Sequence, residues 1–314
     1  MGRKDLSRLV DDKGIYAAIA VDQRGALRKL LGAQASDHNL SLFKKLVSEV
    51  LTPYGSSFLV DPEFGIEAAQ ANAATSGLIL SYEQTGYDVT RPGRLPRLIE
   101  NASVKRLKDA GADAVKFLLY YDVDEPDDIN TKKQAVIERI GAECQAENIP
   151  FLLEILTYDD TIGDEKGAEY AKVRPHKVNE AMRVFSEPRF QVDTLKVEIP
   201  VNMNFVEGFG SENLISQSEA AEAFKAQDAA TDLPYIYLSG GVSAQLFMDS
   251  LQFAADHGAH FNGILCGRAT WKGATRVLVE EGEAEAKAWL EHEGLENLKA
   301  LNEVNQKTAT SIQL

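Results

Sequence analysis

Three ionisable side chains stand inside otherwise apolar runs: Lys116 between Val115 and Phe117, Glu154 between Leu153 and Ile155, and Lys196 between Leu195 and Val197. Burying an unpaired charge in such a run is costly, so each group is either neutralised by a neighbour or kept for chemistry. Two amines beside one carboxylate form a specific set of reagents. An amine nucleophile must be neutral, and both a nearby second cation and removal from water favour the neutral form. A neutral lysine attacks a ketone, loses water and yields an iminium, which draws electrons from the adjacent carbon–carbon bond. A carboxylate within reach shuttles the protons that these steps require.

The elements that must position these groups follow from periodicity. In Val192–Pro200 (VDTLKVEIP), side chains alternate across an extended chain. Leu195, Val197 and Ile199 therefore share one face, and Thr194, Lys196 and Glu198 share the other. The first face suits a covering layer of helices. Seven further strand-like runs are Ile15–Val21, Ser57–Asp61, Leu78–Tyr82, Asp113–Tyr120, Pro150–Thr157, Pro234–Ser239 and Asn262–Gly267. Helical patterns separate most of them, over Leu40–Leu51, Pro96–Ala110, Asn130–Glu147, Pro175–Phe185, Ser218–Ala229 and Ala244–His257, and the chain from Ala274 onward reads as helices rich in Glu, Ala and Leu. Eight strands alternating with helices predict an α/β fold, a (β/α)₈ TIM barrel with additional C-terminal helices, as one domain over residues 1–314. A doubly wound open sheet is the rival, but the turn after the first strand is Asp22-Gln23-Arg24-Gly25, without the G-x-G-x-x-G fingerprint.

In such a barrel Lys116, Glu154 and Lys196 fall on strands four, five and six, neighbours around the axis, with Asp22 and Glu198 bringing two more carboxylates toward the same interior. Strands seven and eight end in Ser239-Gly240-Gly241 and Gly267-Arg268. Glycines there let backbone N–H groups approach an anion, and Arg268 adds a fork of donors, so this pair of turns predicts a phosphate site. Arg24, after strand one, is a candidate for a second anionic group. The polar segment Tyr158–Arg174 is the longest non-periodic insertion and is expected over the barrel mouth.

Composition narrows the partners. The 314 residues carry 33 Lys and Arg against 48 Asp and Glu, a formal net charge of −15 and a pI near 4.9. Such a surface repels nucleic acid and anionic membranes, so neither is an expected partner. Cys144 and Cys266 form no disulfide framework and point to a reducing compartment. With no membrane-length apolar run and no signal-peptide core at the start, a soluble cytoplasmic protein is expected. None of the five histidines (His38, His176, His257, His260 and His292) ends a strand, so no metal site is predicted and no cofactor is called for. Trp271, Trp289 and the acidic stretch Glu280–Glu293 read as packing and solvated surface.

Long motifs then match a known family. The segments AxDQRGAL (Ala20–Leu27), GYDV with GRLP (Gly86–Val89, Gly93–Pro96), AVKFLLYYDVD (Ala114–Asp124), FLLEILTYDD (Phe151–Asp160), LKVEIPVNMNFVEGF (Leu195–Phe209), QDAATDLPYIYLSGGVSAQLF (Gln227–Phe247) and FNGILCGRATWKGA (Phe261–Ala274) resemble class I tagatose-1,6-bisphosphate aldolases over nearly the whole chain. The resemblance implies a barrel and a metal-free Schiff-base lyase of the lactose and tagatose 6-phosphate route of carbohydrate breakdown. It implies Lys196 as the Schiff-base residue and Glu154 as acid and base, with Lys116 and Asp22 assisting. Gln23 would contact the sugar chain, and Ser239, Gly240, Gly241, Gly267 and Arg268 would hold the C1 phosphate. The SGGVS turn departs from the family's SAGVS, an extra glycine that loosens the turn without removing a donor. The implied ligands are a ketohexose 1,6-bisphosphate, with tolerance of epimers such as fructose 1,6-bisphosphate, and its products dihydroxyacetone phosphate and glyceraldehyde 3-phosphate. Barrels of this kind are often dimers or tetramers, so a homo-oligomer is expected. Two rival functions share these residues: a Schiff-base aldolase for a sulfonated ketose phosphate, and a sugar-phosphate sensor acting through a protein partner.

Overall fold

The computed structural model describes residues 4–313. Eight short, β-rich runs form strands: β1 Tyr16–Ala20, β2 Ser57–Val60, β3 Gly77–Ser81, β4 Ala114–Tyr121, β5 Phe151–Thr157, β6 Thr194–Val197, β7 Tyr235–Tyr237 and β8 Gly263–Cys266. Each pairs in parallel with the next and β8 closes on β1, so the sheet is a barrel with no free edge. The expected (β/α)₈ barrel with extra C-terminal helices is the fold observed.

Alternation sorts the side chains into two apolar layers. Leu195, Val197 and Ile199 pack outward among Phe58, Phe117, Leu153 and Tyr237, under the helices. The inner face begins with a plug: Tyr16, Ala18 and Ala20 of β1 meet Leu59, Ile79, Ala114, Leu152, Ile236 and Leu265. Leu6, Leu9, Val10 and Ile312 from the chain ends seal it from below. Across this floor the Tyr16 hydroxyl and the Thr194 hydroxyl are hydrogen bonded at 3.0 Å. Lys116, Glu154 and Lys196 lie two residues beyond Ala114, Leu152 and Thr194 on their strands, hence on the same inner face and one layer higher. The register places Glu154 beside Lys196, and Lys116 beside Ser81.

The helices are α1 Gly25–Leu31, α2 Asp37–Leu51, α3 Ile66–Gln70, α4 Val104–Asp109, α5 Asp127–Ala146, α6 Ala168–Phe185, α7 Gln217–Asp228, α8 Ala244–Asp256, α9 Arg268–Glu280, α10 Glu283–Trp289 and α11 Leu295–Thr308. Serines 36, 103, 216 and 243 cap α2, α4, α7 and α8, each side chain accepting a backbone N–H of the first turn. Helix boundaries differ from those the sequence predicts, most of all at two starts. The helix expected from Pro96 begins only at Val104; the residues before it form a strap after β3, held by antiparallel bridges Glu83–Leu98 and Asp88–Leu95. Helix α6 starts at Ala168 and carries Pro175 inside it. Burial of Tyr170 and Ala171 in the turns before the proline offsets the hydrogen bond it removes. At the C-terminus, α11 returns to the barrel floor, where the Asn305 amide donates to the Tyr16 carbonyl at 2.8 Å. Among the described residues no helix is long and apolar enough to cross a membrane.

Candidate active site

The C-terminal ends of the strands open into a cavity of about 660 Å³. Its walls carry Glu154 and Lys196 from β5 and β6, Ser239, Gly240, Gly241, Gly267 and Arg268 from the turns after β7 and β8, and Gln23 from the turn after β1. The Lys196 amine lies 2.7 Å from Glu154 Oε1. The other oxygen of the same carboxylate, Oε2, lies 2.7 Å from the Lys116 amine. Glu154 thus joins the two lysines, one oxygen to each.

Lys116 is placed differently from Lys196. It is 1 % exposed and does not line the cavity, and it also holds Asp22 Oδ2 at 2.8 Å and Glu83 Oε1 at 2.7 Å. Burial opposes its charge, but Asp22, Glu154 and Glu83 outweigh burial and hold the amine well above its ordinary value. It is a fixed cation. Burial would raise the Asp22 carboxyl, yet Lys116 and Lys196 keep it well below the usual carboxylate range. Glu154 is lowered for the same reason, the two lysines overcoming its desolvation. Glu83 goes the other way: burial pushes it up, with the neighbouring Asp22 charge adding to the rise and Lys116 only partly offsetting it.

Glu83 is a member of this buried charge cluster that sequence reasoning passes over. It lies two residues past the end of β3, and with Ile79 and Ser81 it keeps the inward phase. An acidic side chain in phase with the interior at a strand's C-terminal end was the available signal. Its second oxygen accepts the backbone N–H of Leu118 at 3.1 Å, which ties β3 to β4 at the level of the amine.

Arg24 requires a correction. It is 5 % exposed and faces away from the cavity: its guanidinium pairs with Glu63, donates to the Glu83 carbonyl at 2.8 Å and lies 3.7 Å from Glu83 Oε1. With Lys44 paired to Asp61 and donating to the Val21 and Gln23 carbonyls, it forms a buttress behind β1. Its neighbour Gln23 turns inward instead, with Oε1 buried and accepting no hydrogen bond. Glu198 stands on the cavity wall but is held by the Thr157 backbone N–H at 2.8 Å, the Thr157 hydroxyl at 2.6 Å and Arg174 at 3.3 Å.

The turns after β7 and β8 come together on the cavity wall. Gly240 and Gly241 have φ of +60° and +83°, the left-handed region that glycine enters without strain. The glycine at 240, where the family resemblance leads one to expect alanine, therefore relieves the turn's backbone. A Cβ on Gly241 would sit 3.1 Å from Arg268 Nη2, so the guanidinium lies directly against this turn. At Gly267 a Cβ would come within 2.6 Å of the Ala20 carbonyl, which makes the close crossing from β8 into α9 specific to glycine. Helix α9 begins at Arg268 with no acidic residue in its first turn, so its free N–H groups and dipole favour an anion at this end. None of the histidines lines the cavity; His176 pairs with Asp124, His260 pairs with Asp228, and His257 stacks on Phe253.

Comparison with known proteins agrees with this geometry. The chain is 57% identical over 311 residues to a tagatose 1,6-diphosphate aldolase of Staphylococcus epidermidis, covering 98% of this chain and 96% of that protein. It is 56% identical over 312 residues to tagatose 1,6-diphosphate aldolase 1 of Enterococcus faecalis, covering 99% and 96%. Among solved structures, a Schiff base forming fructose-1,6-bisphosphate aldolase matches with a TM-score of 0.58 at 15% identity, covering 96% of this chain and 98% of that one, a likeness of fold. The DeoC/LacD family aldolase model matches residues 16–273, which span every strand and all of the groups gathered around Lys116 and Lys196; the chain belongs to the DeoC/LacD family of aldolases.

Proposed function

We propose that this protein reversibly cleaves D-tagatose 1,6-bisphosphate to dihydroxyacetone phosphate and D-glyceraldehyde 3-phosphate through a Schiff base on Lys196. One observation carries the choice of residue. Five lysines are buried among the described residues, and Lys44, Lys116, Lys133 and Lys177 are each held within the protein by two or more groups. Among the described residues Lys196 has a single ion-pair partner, Glu154, and it faces the cavity.

The chemistry follows from that placement. Once its proton has passed to Glu154, the Lys196 amine adds to the C2 carbonyl, and the carbinolamine loses its hydroxyl as water with a proton returned from Glu154. The resulting iminium accepts the electrons of the C3–C4 bond as Glu154 takes the C4 hydroxyl proton, releasing glyceraldehyde 3-phosphate. Protonation of the enamine at C3 and hydrolysis then free dihydroxyacetone phosphate and the amine. Lys116 keeps Glu154 oriented and supplies a fixed positive charge to this sequence. The C1 phosphate is held by the Ser239–Gly241 turn, Gly267 and Arg268. Relaxed selectivity among C4 epimers such as fructose 1,6-bisphosphate belongs to the same proposal.

Borohydride reduction with substrate present, followed by peptide mass analysis, tests the assignment. A substrate-derived mass on Lys196 is expected; an unmodified Lys196, or activity abolished by a chelator, overturns it. A homo-oligomer, dimer or tetramer, belongs to the same proposal and is read by light scattering. The two free, buried cysteines support a reducing, cytoplasmic setting.

A further inference from the structure

Strand order around the barrel and carbon order along the substrate run together. On the reading proposed above, on which this inference rests, β7 and β8 take the C1 phosphate, β6 takes C2 and β5 takes the C4 hydroxyl. The C6 phosphate then arrives at the next wall, β4 and the strap after β3. There the cavity is lined by Tyr120, Tyr87 and Arg94. Two other cations, Lys166 and Arg174, line it from the segment after β5. Arg174 is held by Glu198 at 3.3 Å and donates to the Ile199 carbonyl at 2.9 Å, and Lys166 stands exposed at the rim.

Arg94 is a largely enclosed cation whose anionic partners are more exposed than it is. Its guanidinium lies over the Tyr158 ring at 4.1 Å, with Tyr87 and Tyr120 at 5.3 and 5.9 Å. Nε and Nη2 donate to Asp160 Oδ1 at 3.1 and 2.9 Å, and Nη1 is 2.7 Å from Glu165 Oε1. The arginine side chain is 14 % exposed, whereas Asp160 and Glu165 are 54 % and 36 % exposed on the segment after β5. Glu165 itself lines the cavity. A carboxylate therefore occupies, on a solvent-facing loop, the position from which a planar five-donor fork would engage a phosphate.

We propose that Arg94 receives the second phosphate of the substrate, and that Glu165 is a placeholder anion which this phosphate displaces. The aromatic stack holds the fork in place during the exchange, so the enzyme keeps one oriented cation and trades one anion for another.

Steady-state kinetics with the ketose 1,6-bisphosphate and the same ketose as its 1-phosphate test this. For Arg94→Met, the ratio of the bisphosphate KM to the 1-phosphate KM is expected to rise about 10- to 100-fold, the loss of a charge-assisted contact. For Glu165→Gln, which keeps the side chain's shape and removes its charge, that ratio is expected to fall about 3- to 10-fold, with thermal melting confirming that both variants fold. An unchanged ratio in either variant, a rise in Glu165→Gln, or the phosphate-selective loss appearing in Lys166→Ala instead would overturn the proposal. Borohydride trapping of the wild-type protein with the 1-phosphate separates the two levels. If Lys196 is trapped and the ratios do not move, only the Arg94 assignment falls; if Lys196 is not trapped, the Schiff-base reading falls with it.

Discussion

The two halves of the barrel mouth treat charge in opposite ways. On the side of β1, β3 and β4, Lys116 is enclosed by Asp22, Glu83 and Glu154, while Arg24 and Lys44 behind it are tied to Glu63, Glu83 and Asp61. On the side of β5 to β8, Lys196 shares one carboxylate and otherwise faces the cavity, and Arg268 lies against a glycine turn with no ion pair among the described residues. The residue types are alike on both sides. What differs is where their donors point: Lys116, Arg24 and Lys44 spend theirs on groups within the protein, whereas Lys196 and Arg268 keep theirs on the cavity wall. Glu154 belongs to both halves, with one oxygen on each lysine.

The strongest break in this contrast comes from Lys196→Met. Turnover should drop on the order of 10⁴-fold or more, as when a nucleophile is removed from a cooperating set, while Glu154 keeps Lys116 as its partner and urea unfolding shifts little. A large loss of stability here would mean that Lys196 is structural. Glu154→Gln should lower kcat by about 10²- to 10⁴-fold, the range for one general acid–base group, with Lys196 still reducible by borohydride under long incubation. The opposite pattern belongs to Lys116→Met. It leaves three buried carboxylates without their shared cation, so unfolding free energy should fall by about 3–5 kcal/mol, read from the urea midpoint at constant m-value. An unchanged midpoint would dissolve the distinction between the two lysines.

The smallest effect is in pH. Asp22 and Glu154 are held below the values of about 3.9 and 4.3 expected unfolded, so their contribution to stability is complete above those values and is lost as pH falls through the lower folded ones. Glu83, raised by burial, works with the opposite sign and disfavours the folded state once pH has risen past its unfolded value. Urea midpoints measured from pH 6 to pH 3 should therefore fall at the acid end in the wild type, and fall less steeply in Asp22→Asn. A steeper fall in that variant would reverse the charge assignment.

Much of the site was legible because alternation is a local property. Lys116, Glu154 and Lys196 were placed on the interior by counting in twos from their apolar neighbours, and the strand order brought them together. Glu83 obeyed the same rule but lay one residue past the apparent end of a strand. Arg24 was misdirected because adjacency carries no direction: Gln23 and Arg24 are consecutive, yet one lines the cavity and the other turns back to Glu63, more than a strand away in sequence. Arg94 had no local signal, since its strap has neither helical nor strand period and reaches the mouth only through contacts with Tyr158, Asp160 and Glu165.

Taken alone, the chain's periodicity determined a closed parallel barrel, the inward phase of its charged residues and the glycine-framed turns at the ends of β7 and β8, because each depends on neighbours a few residues apart. Only the tertiary structure decided that Lys116 is surrounded and Lys196 is not. Ionisation and reactivity depend on how many opposite charges lie within a few ångströms, and those partners come from positions as far apart as Asp22 and Glu154.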